Sequence, residues 1–157
     1  MKIRSSAALA LVLGLGVALA GCGKMNEIRA MKAFKDGNKL YSANDYREAS
    51  QKYEEAIQLD PQDNINSCGT SPGCVYFYLG NSYDNLYRPT RKGEPTNDAY
   101  LEKAIANYKL AAEKITNDPK MRTLALQYLV ATYGPDKLND PTQAEPVVKN
   151  IIELEPN

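Results

Sequence analysis

The sequence lacks histidine and tryptophan, and its 19 basic and 19 acidic side chains leave no net charge. Without histidine there is no imidazole to activate a nucleophile, to bind zinc or to transfer protons near neutral pH. A balanced charge argues against a nucleic-acid partner, which would need a basic face. With 157 residues, the chain is about one domain long. The composition therefore disfavours an enzyme and a metal site.

What the sequence does contain is tyrosine, which occurs 11 times against two phenylalanines. Hydrophobic residues make up 43% of the chain, which is enough to bury a core. The composition therefore predicts a core built largely around tyrosine rings.

The amino terminus has the three parts of an export signal. Lys2 and Arg4 provide a positive start, and residues 7–20 are apolar or glycine. The small residues Ala20 and Gly21 directly precede Cys22. The alternative is a membrane-spanning helix, but about fourteen residues at about 1.5 Å each reach only about 21 Å of a roughly 30 Å hydrocarbon layer. The pattern predicts a cleaved signal peptide over residues 1–21.

The stretch Leu19-Ala20-Gly21-Cys22 resembles the lipobox of bacterial lipoproteins, in which an aliphatic residue and two small residues precede the cysteine. The resemblance implies that Cys22 starts the mature protein and carries acyl chains such as palmitate, with residues 22–25 as a short lipidated tether. A plain secreted start is the alternative. Gly23 stands where an aspartate would favour the inner membrane. The resemblance thus implies an outer-membrane anchor facing the periplasm of a Gram-negative host.

Cys68 and Cys74 are the other two cysteines, and five residues separate them. In an exported protein an even pair of this kind predicts a disulfide, because the compartment is oxidising. Two unpaired thiols remain the alternative. The neighbouring residues do not supply the further ligands that a metal site would need.

Residues 26–157 contain a repeated pattern. Its first unit, residues 30–63, is 34 residues long and resembles the tetratricopeptide repeat (TPR) in length and residue placement. Similar patterns follow over residues 73–118 and 123–157. The first unit places small, large, aromatic and proline residues as that repeat does, at Gly37, Leu40, Ala49, Tyr53, Ala56 and Pro61.

The resemblance implies an all-α fold, an α-solenoid of about three TPR-like helix hairpins following the signal peptide. Small Gly37 and Gly80 would let paired helices approach, and bulky Tyr53 and Tyr108 would fill the remaining space. The sequence from Asp45 to Glu48 is typical of a capping box at the start of a helix.

In TPR proteins the first helix of each hairpin lines a concave groove that holds a partner's peptide or helix. Phe34 and Phe77 lie 43 residues apart, as do Asn38 and Asn81, which suggests a repeated phenylalanine and asparagine contact. The alternative is that both rings simply pack between helices. The groove residues implied by the resemblance are Phe34, Asn38, Tyr41, Phe77, Asn81, Asp84 and Gln127.

Two further surfaces are candidates for contact with a partner. The insertion from Arg88 to Asp98 is either a second contact surface or tolerated, solvent-exposed chain. The last helix carries an apolar stripe that we expect to dock on a partner or on a second copy. This stripe consists of Val147, Ile151, Ile152 and Leu154.

The sequence favours a non-enzymatic adaptor that holds an envelope protein or peptide, with no cofactor other than lipid on Cys22. Assembly of outer-membrane, pilus or secretion machinery is the kind of role implied. A self-associating structural lipoprotein is one alternative. An enzyme or small-ligand binder that uses acids such as Asp36, Glu54 and Asp84 is another.

Overall fold

The structure is a computed structural model that describes the backbone of residues 6–155 and the side-chain surroundings of residues 23–155. Within that range the chain is helical and has no strand, which confirms the predicted all-α class. One 3-10 turn, Pro89–Arg91, lies in the insertion. The α-helices are α1 (Ser6–Ser42), α2 (Tyr46–Leu59), α3 (Cys74–Leu86), α4 (Pro95–Lys114), α5 (Pro119–Thr132) and α6 (Pro141–Leu154).

The helices pack in chain order as three hairpins, α1 with α2, α3 with α4, and α5 with α6. Helix α2 also packs on α3, and α4 on α5, so that the hairpins stack in a repeat-like arrangement. The first helices of successive hairpins touch as well, because α3 contacts both α1 and α5. The third hairpin begins at Pro119, a few residues before the predicted start at residue 123.

The predicted signal peptide and lipid site fall largely outside the described side chains. Residues 1–5 are outside the described backbone, and the side chain of Cys22 is outside the described side chains. Residues 22–25, for which a short lipidated tether is predicted, belong to α1.

Within each of the first two hairpins, a glycine allows a buried tyrosine to lie directly against the partner helix. A Cβ atom added at Gly37 would come within 2.7 Å of the Tyr53 ring, and one at Gly80 within 3.0 Å of the Tyr108 ring. Both tyrosines are 0% exposed. The predicted pairing of small residues with bulky tyrosines is therefore present in both hairpins.

The connection between α2 and α3 is organised by the buried carboxylate of Asp63. This carboxylate accepts hydrogen bonds from the Gly73 N–H at 2.6 Å and from the Ser67 N–H at 3.2 Å. Gly73 has a φ of 113°, which favours glycine, and a Cβ atom added there would come within 2.5 Å of the Ile115 side chain. Burial raises the pKa of Asp63, against the opposing effect of these hydrogen bonds.

The same connection contains the two cysteines that were predicted to pair. The structure joins Cys68 to Cys74 in a disulfide, with 5.0 Å between their α-carbons. This bond ties the connection to the first residue of α3.

The insertion between α3 and α4 is anchored at both of its ends. The Asn97 side chain, which is 4% exposed, accepts from the Arg88 N–H at 2.8 Å and donates to the Arg88 carbonyl at 3.1 Å. Lys92 Nζ donates to the Lys137 carbonyl at 2.8 Å. Although residues 88–96 are exposed, the insertion therefore contacts the connection between α5 and α6.

Helix starts follow the sequence only in part. Helix α2 begins directly after Asp45, but the Asp45 side chain forms no capping hydrogen bond, so the predicted capping box was wrong. Asp118 and Asp140 instead form such caps, accepting from the Met121 N–H and the Gln143 N–H.

The apolar stripe of α6 is largely used inside the molecule. Val147, Ile151 and Leu154 pack against the core, whereas Ile152 is 62% exposed. Three of the four residues predicted to form a C-terminal interface are thus partly covered by the chain's own third hairpin.

Candidate functional site

The first helices of the three hairpins share a surface of tyrosine rings, which we call the tyrosine face. It consists of Tyr41 on α1, Tyr78 on α3 and Tyr128 on α5, together with Tyr46 at the start of α2. The Tyr41 ring meets Tyr46 and Tyr78 edge-on, with ring centroids 5.5 and 5.3 Å away. Tyr128 is 37% exposed, and the other three are half-buried. The face therefore contains at least one partly exposed tyrosine from every hairpin.

The two phenylalanines support this face from beneath. Phe34 and Phe77 are 7% and 5% exposed. The Phe77 ring lies edge-on to both Tyr78 and Tyr128, at centroid distances of 5.4 and 5.5 Å. Of the two alternatives for these rings, packing between helices is the one that the structure adopts. Phe34 and Phe77 do not form an exposed apolar platform.

Asn81 was predicted to contact a partner, but its amide is satisfied within the protein. It is 3% exposed and accepts a 2.6 Å hydrogen bond from the Tyr41 hydroxyl. Its Nδ2 donates to the Tyr108 hydroxyl at 3.2 Å, and its oxygen also accepts from Asn85 at 2.8 Å. The amide therefore fixes the tyrosines.

Asn38 has a similar role in the first hairpin. Its Oδ1 accepts a 2.8 Å hydrogen bond from the hydroxyl of buried Tyr53. Unlike Asn81, it is half-exposed.

Asp84 extends this network to the third hairpin. It forms an ion pair with Lys137 in the connection between α5 and α6, and only 9% of its side chain is exposed. The Tyr108 hydroxyl also donates to Asp84, at 3.4 Å. Gln127, by contrast, is exposed on α5. Of the seven predicted groove residues, Gln127, Asn38 and Tyr41 are therefore the most available to a partner.

Burial raises the pKa of three phenols in this region, those of Tyr41, Tyr53 and Tyr108. Desolvation, together with the neighbouring tyrosines, raises the pKa of Tyr41 to about 12. Burial also raises the pKa of Tyr53 and of Tyr108. Near neutral pH the hydroxyls of Tyr41, Tyr53 and Tyr108 are therefore protonated and can act as hydrogen-bond donors.

The acids considered as possible catalytic groups lie apart in separate interactions. Asp36 pairs with Lys32 at 2.8 Å, and this hydrogen bond lowers the pKa of Asp36. Glu54 accepts from the Tyr83 hydroxyl and lies 3.8 Å from Lys103. Asp84 is paired with Lys137. The carboxylates of Asp36, Glu54 and Asp84 therefore do not lie together in one site.

Two further features are absent from the part of the chain that the structure describes. Among those residues, no group of three or more histidine, cysteine, aspartate or glutamate side chains is arranged to hold a metal ion. None of the helices there is both long enough and apolar enough to cross a membrane.

Sequence reasoning missed Tyr46, Tyr78 and Tyr128. Tyr78 and Tyr128 directly follow Phe77 and Gln127, which the sequence had assigned to the groove. One residue corresponds to about 100° of rotation around a helix, so the neighbouring side chain faces a different surface. A tyrosine on the first helix of every hairpin was the available signal.

Comparison with known proteins identifies no family, so the fold alone defines the class of protein. No protein-family model matches the chain, and no curated protein matches it. Over its described residues, the protein is all-α, with helical hairpins stacked in a repeat-like way.

Proposed function

We propose that this protein is a lipid-anchored, TPR-like adaptor of the bacterial envelope that binds a segment of another envelope protein on its tyrosine face. The proposal combines two features. One is the export signal that ends in the lipobox at Cys22, and the other is the tyrosine face. Cys22 carries the lipid, and the protein has no catalytic role.

The observation that carries the proposal is that each of the three stacked hairpins contributes a partly exposed tyrosine ring to one packed aromatic cluster. Tyrosine is enriched at protein interfaces because its large ring buries apolar area while its hydroxyl hydrogen-bonds. Buried residues fix the orientation of these rings. The Tyr41 hydroxyl donates a hydrogen bond to Asn81, and the Phe77 ring packs against Tyr78 and Tyr128. Such support lowers the entropic cost of binding.

The chemistry of the face favours an uncharged segment with apolar or proline side chains. Aromatic grooves recognise such segments through ring contacts, while polar groups beside the rings bind the backbone. Half-exposed Asn38, which lies three residues before Tyr41 on the same helix, is placed to supply an amide group of this kind.

A site-specific photocrosslinker tests the binding surface. We expect a crosslinking residue at Tyr128, introduced in cells, to capture a discrete second protein. The matched control is Gln51, an exposed residue on α2. Equal capture from both positions would contradict the proposal, and adducts of the bait with itself alone would favour the self-associating alternative.

The anchor has its own test. Cys22→Ser should abolish incorporation of labelled palmitate and release the protein from the outer-membrane fraction. Cys68→Ser is the matched control, and it should remain labelled. Palmitate incorporation that persists in Cys22→Ser would overturn this part of the proposal.

A further inference from the structure

A cavity lies between α4, α5 and α6 and shares no residue with the tyrosine face. Its volume is about 440 Å³, within the range of about 300–1,000 Å³ typical of small-molecule sites. Leu126, Leu129 and Val147 contribute apolar walls. Charged side chains from α4 and α5 also line it. We call it the Arg122 cleft.

Arg122 is the unusual group in this cleft. Its Nε is fully buried and has no hydrogen-bond partner. No carboxylate of the described residues forms an ion pair with it, whereas Arg91 is bound to Glu94 by contacts as short as 2.5 Å. A buried donor without an acceptor is destabilising, and more so when it belongs to a charged group. Arg122 as a whole is only partly buried, and its terminal nitrogens, unlike Nε, are not among the fully buried atoms, so they can reach an external anion.

The other charges in the cleft do not neutralise Arg122. Lys109 Nζ lies 5.9 Å from the centre of the Tyr133 ring and, among the described residues, forms no ion pair. Glu113 is the one carboxylate in the lining, and no cation pairs with it within the described range. Two cations against one anion favour a ligand that carries a single negative charge.

We propose that the Arg122 cleft binds a small amphipathic carboxylate. The guanidinium is a planar fork whose geometry matches a carboxylate, and the bond is charge-assisted. The apolar body of the ligand lies against Leu126, Leu129 and Val147. Neither the lipid anchor nor the tyrosine face is needed for this binding, so it stands independently of the adaptor role.

Hexanoate is a suitable probe because it combines one carboxylate with a short aliphatic chain. We expect hexanoate to bind saturably to the full chain in a non-ionic detergent. An NMR titration measures this binding, and the same titration of detergent alone is the blank. Hexanol and hexylammonium keep the chain but lack the anion, so they should bind at least about tenfold more weakly.

Two variants assign the binding to Arg122. Arg122→Gln should raise the hexanoate Kd by about tenfold or more, because it removes the charge and the fork. Lys120→Gln removes an exposed charge from the same helix and should leave the Kd within about twofold. Circular dichroism checks that both variants remain folded.

Three results would overturn the proposal. The first is no saturable hexanoate binding to the folded chain, and the second is equal affinity for hexanoate and hexanol. The third is binding only of a short peptide with a free carboxyl terminus, which would assign the cleft to a peptide. In each case crosslinking at Tyr128 is unaffected, so the two proposals fail separately.

Discussion

The Tyr41 hydroxyl donates a 2.6 Å hydrogen bond to Asn81 Oδ1, joining the first hairpin to the second. Asn81 then donates to Tyr108, whose hydroxyl donates to Asp84, and Asp84 pairs with Lys137 in the third hairpin. A stack of repeats is otherwise held by contacts between neighbours. This network links all three hairpins and restricts how they can rotate against one another.

Asn81→Ala should therefore destabilise the protein. The substitution leaves the Tyr41 and Tyr108 hydroxyls without their amide partner in a buried site, at a cost of about 2–3 kcal/mol in the free energy of unfolding. Urea denaturation measures the change. Asn107→Ala is the matched control, because Asn107 donates one exposed bond to the Lys103 carbonyl, and we expect a change within about 0.5 kcal/mol. Equal effects would mean that the network adds no stability.

Two glycines of α1 should respond in opposite directions to alanine. At Gly37 the new methyl group would lie 2.7 Å from the ring of Tyr53, which is fully buried, so overpacking should cost about 1–3 kcal/mol. At Gly23 no atom lies within 4 Å, and alanine should stabilise the helix by up to about 1 kcal/mol. Thermal unfolding of both variants tests the pair. A neutral Gly37→Ala would show that the helices can separate without cost.

Tyr87→Phe should maintain or raise stability. The Tyr87 hydroxyl is buried and has no hydrogen-bond partner among the described residues, so removing it relieves a penalty of about 1 kcal/mol. Tyr76→Phe is the control, because that hydroxyl donates to the Pro61 carbonyl at 3.1 Å, and its loss should cost about 1 kcal/mol. Denaturant midpoints distinguish the two. A marked loss in Tyr87→Phe would indicate that a water or a ligand occupies this site.

Stability should fall in alkaline solution. Burial raises the pKa of Tyr41 from its ordinary value of 10.0 to about 12. Below pH 10 both folded and unfolded states keep this proton. Above it the unfolded chain loses the proton first, so stability declines as the pH rises from about 10 to about 12. Desolvation raises the pKa of other phenols in the same direction, those of Tyr53, Tyr76, Tyr83, Tyr87 and Tyr108.

Phenolate absorbance and circular dichroism, recorded together against pH, test this prediction. We expect part of the tyrosine titration to coincide with loss of helix. Tyr41→Phe should make the decline in stability less steep, since one linked proton is removed. Complete tyrosine titration while the helix signal is intact would contradict the assigned burial.

The sequence predicted the helical elements well because their signals are local. Glycine at the crossings and tyrosine in the second helices indicated the pairings of Gly37 with Tyr53 and of Gly80 with Tyr108. The capping box at Asp45 failed because a sequence match does not set the side-chain rotamer, and Asp45 makes no cap bond.

The sequence by itself therefore determined that the chain forms helices and where small and bulky residues meet, because these features depend on spacing along the chain. Only the tertiary structure decided which side chains face solvent. The rotation of each helix within the stack buries Phe77 and Asn81 and exposes Tyr128. It also places Arg122 in a cleft where its Nε has no hydrogen-bond acceptor. That rotation is set by packing among all three hairpins, which no single stretch of sequence encodes.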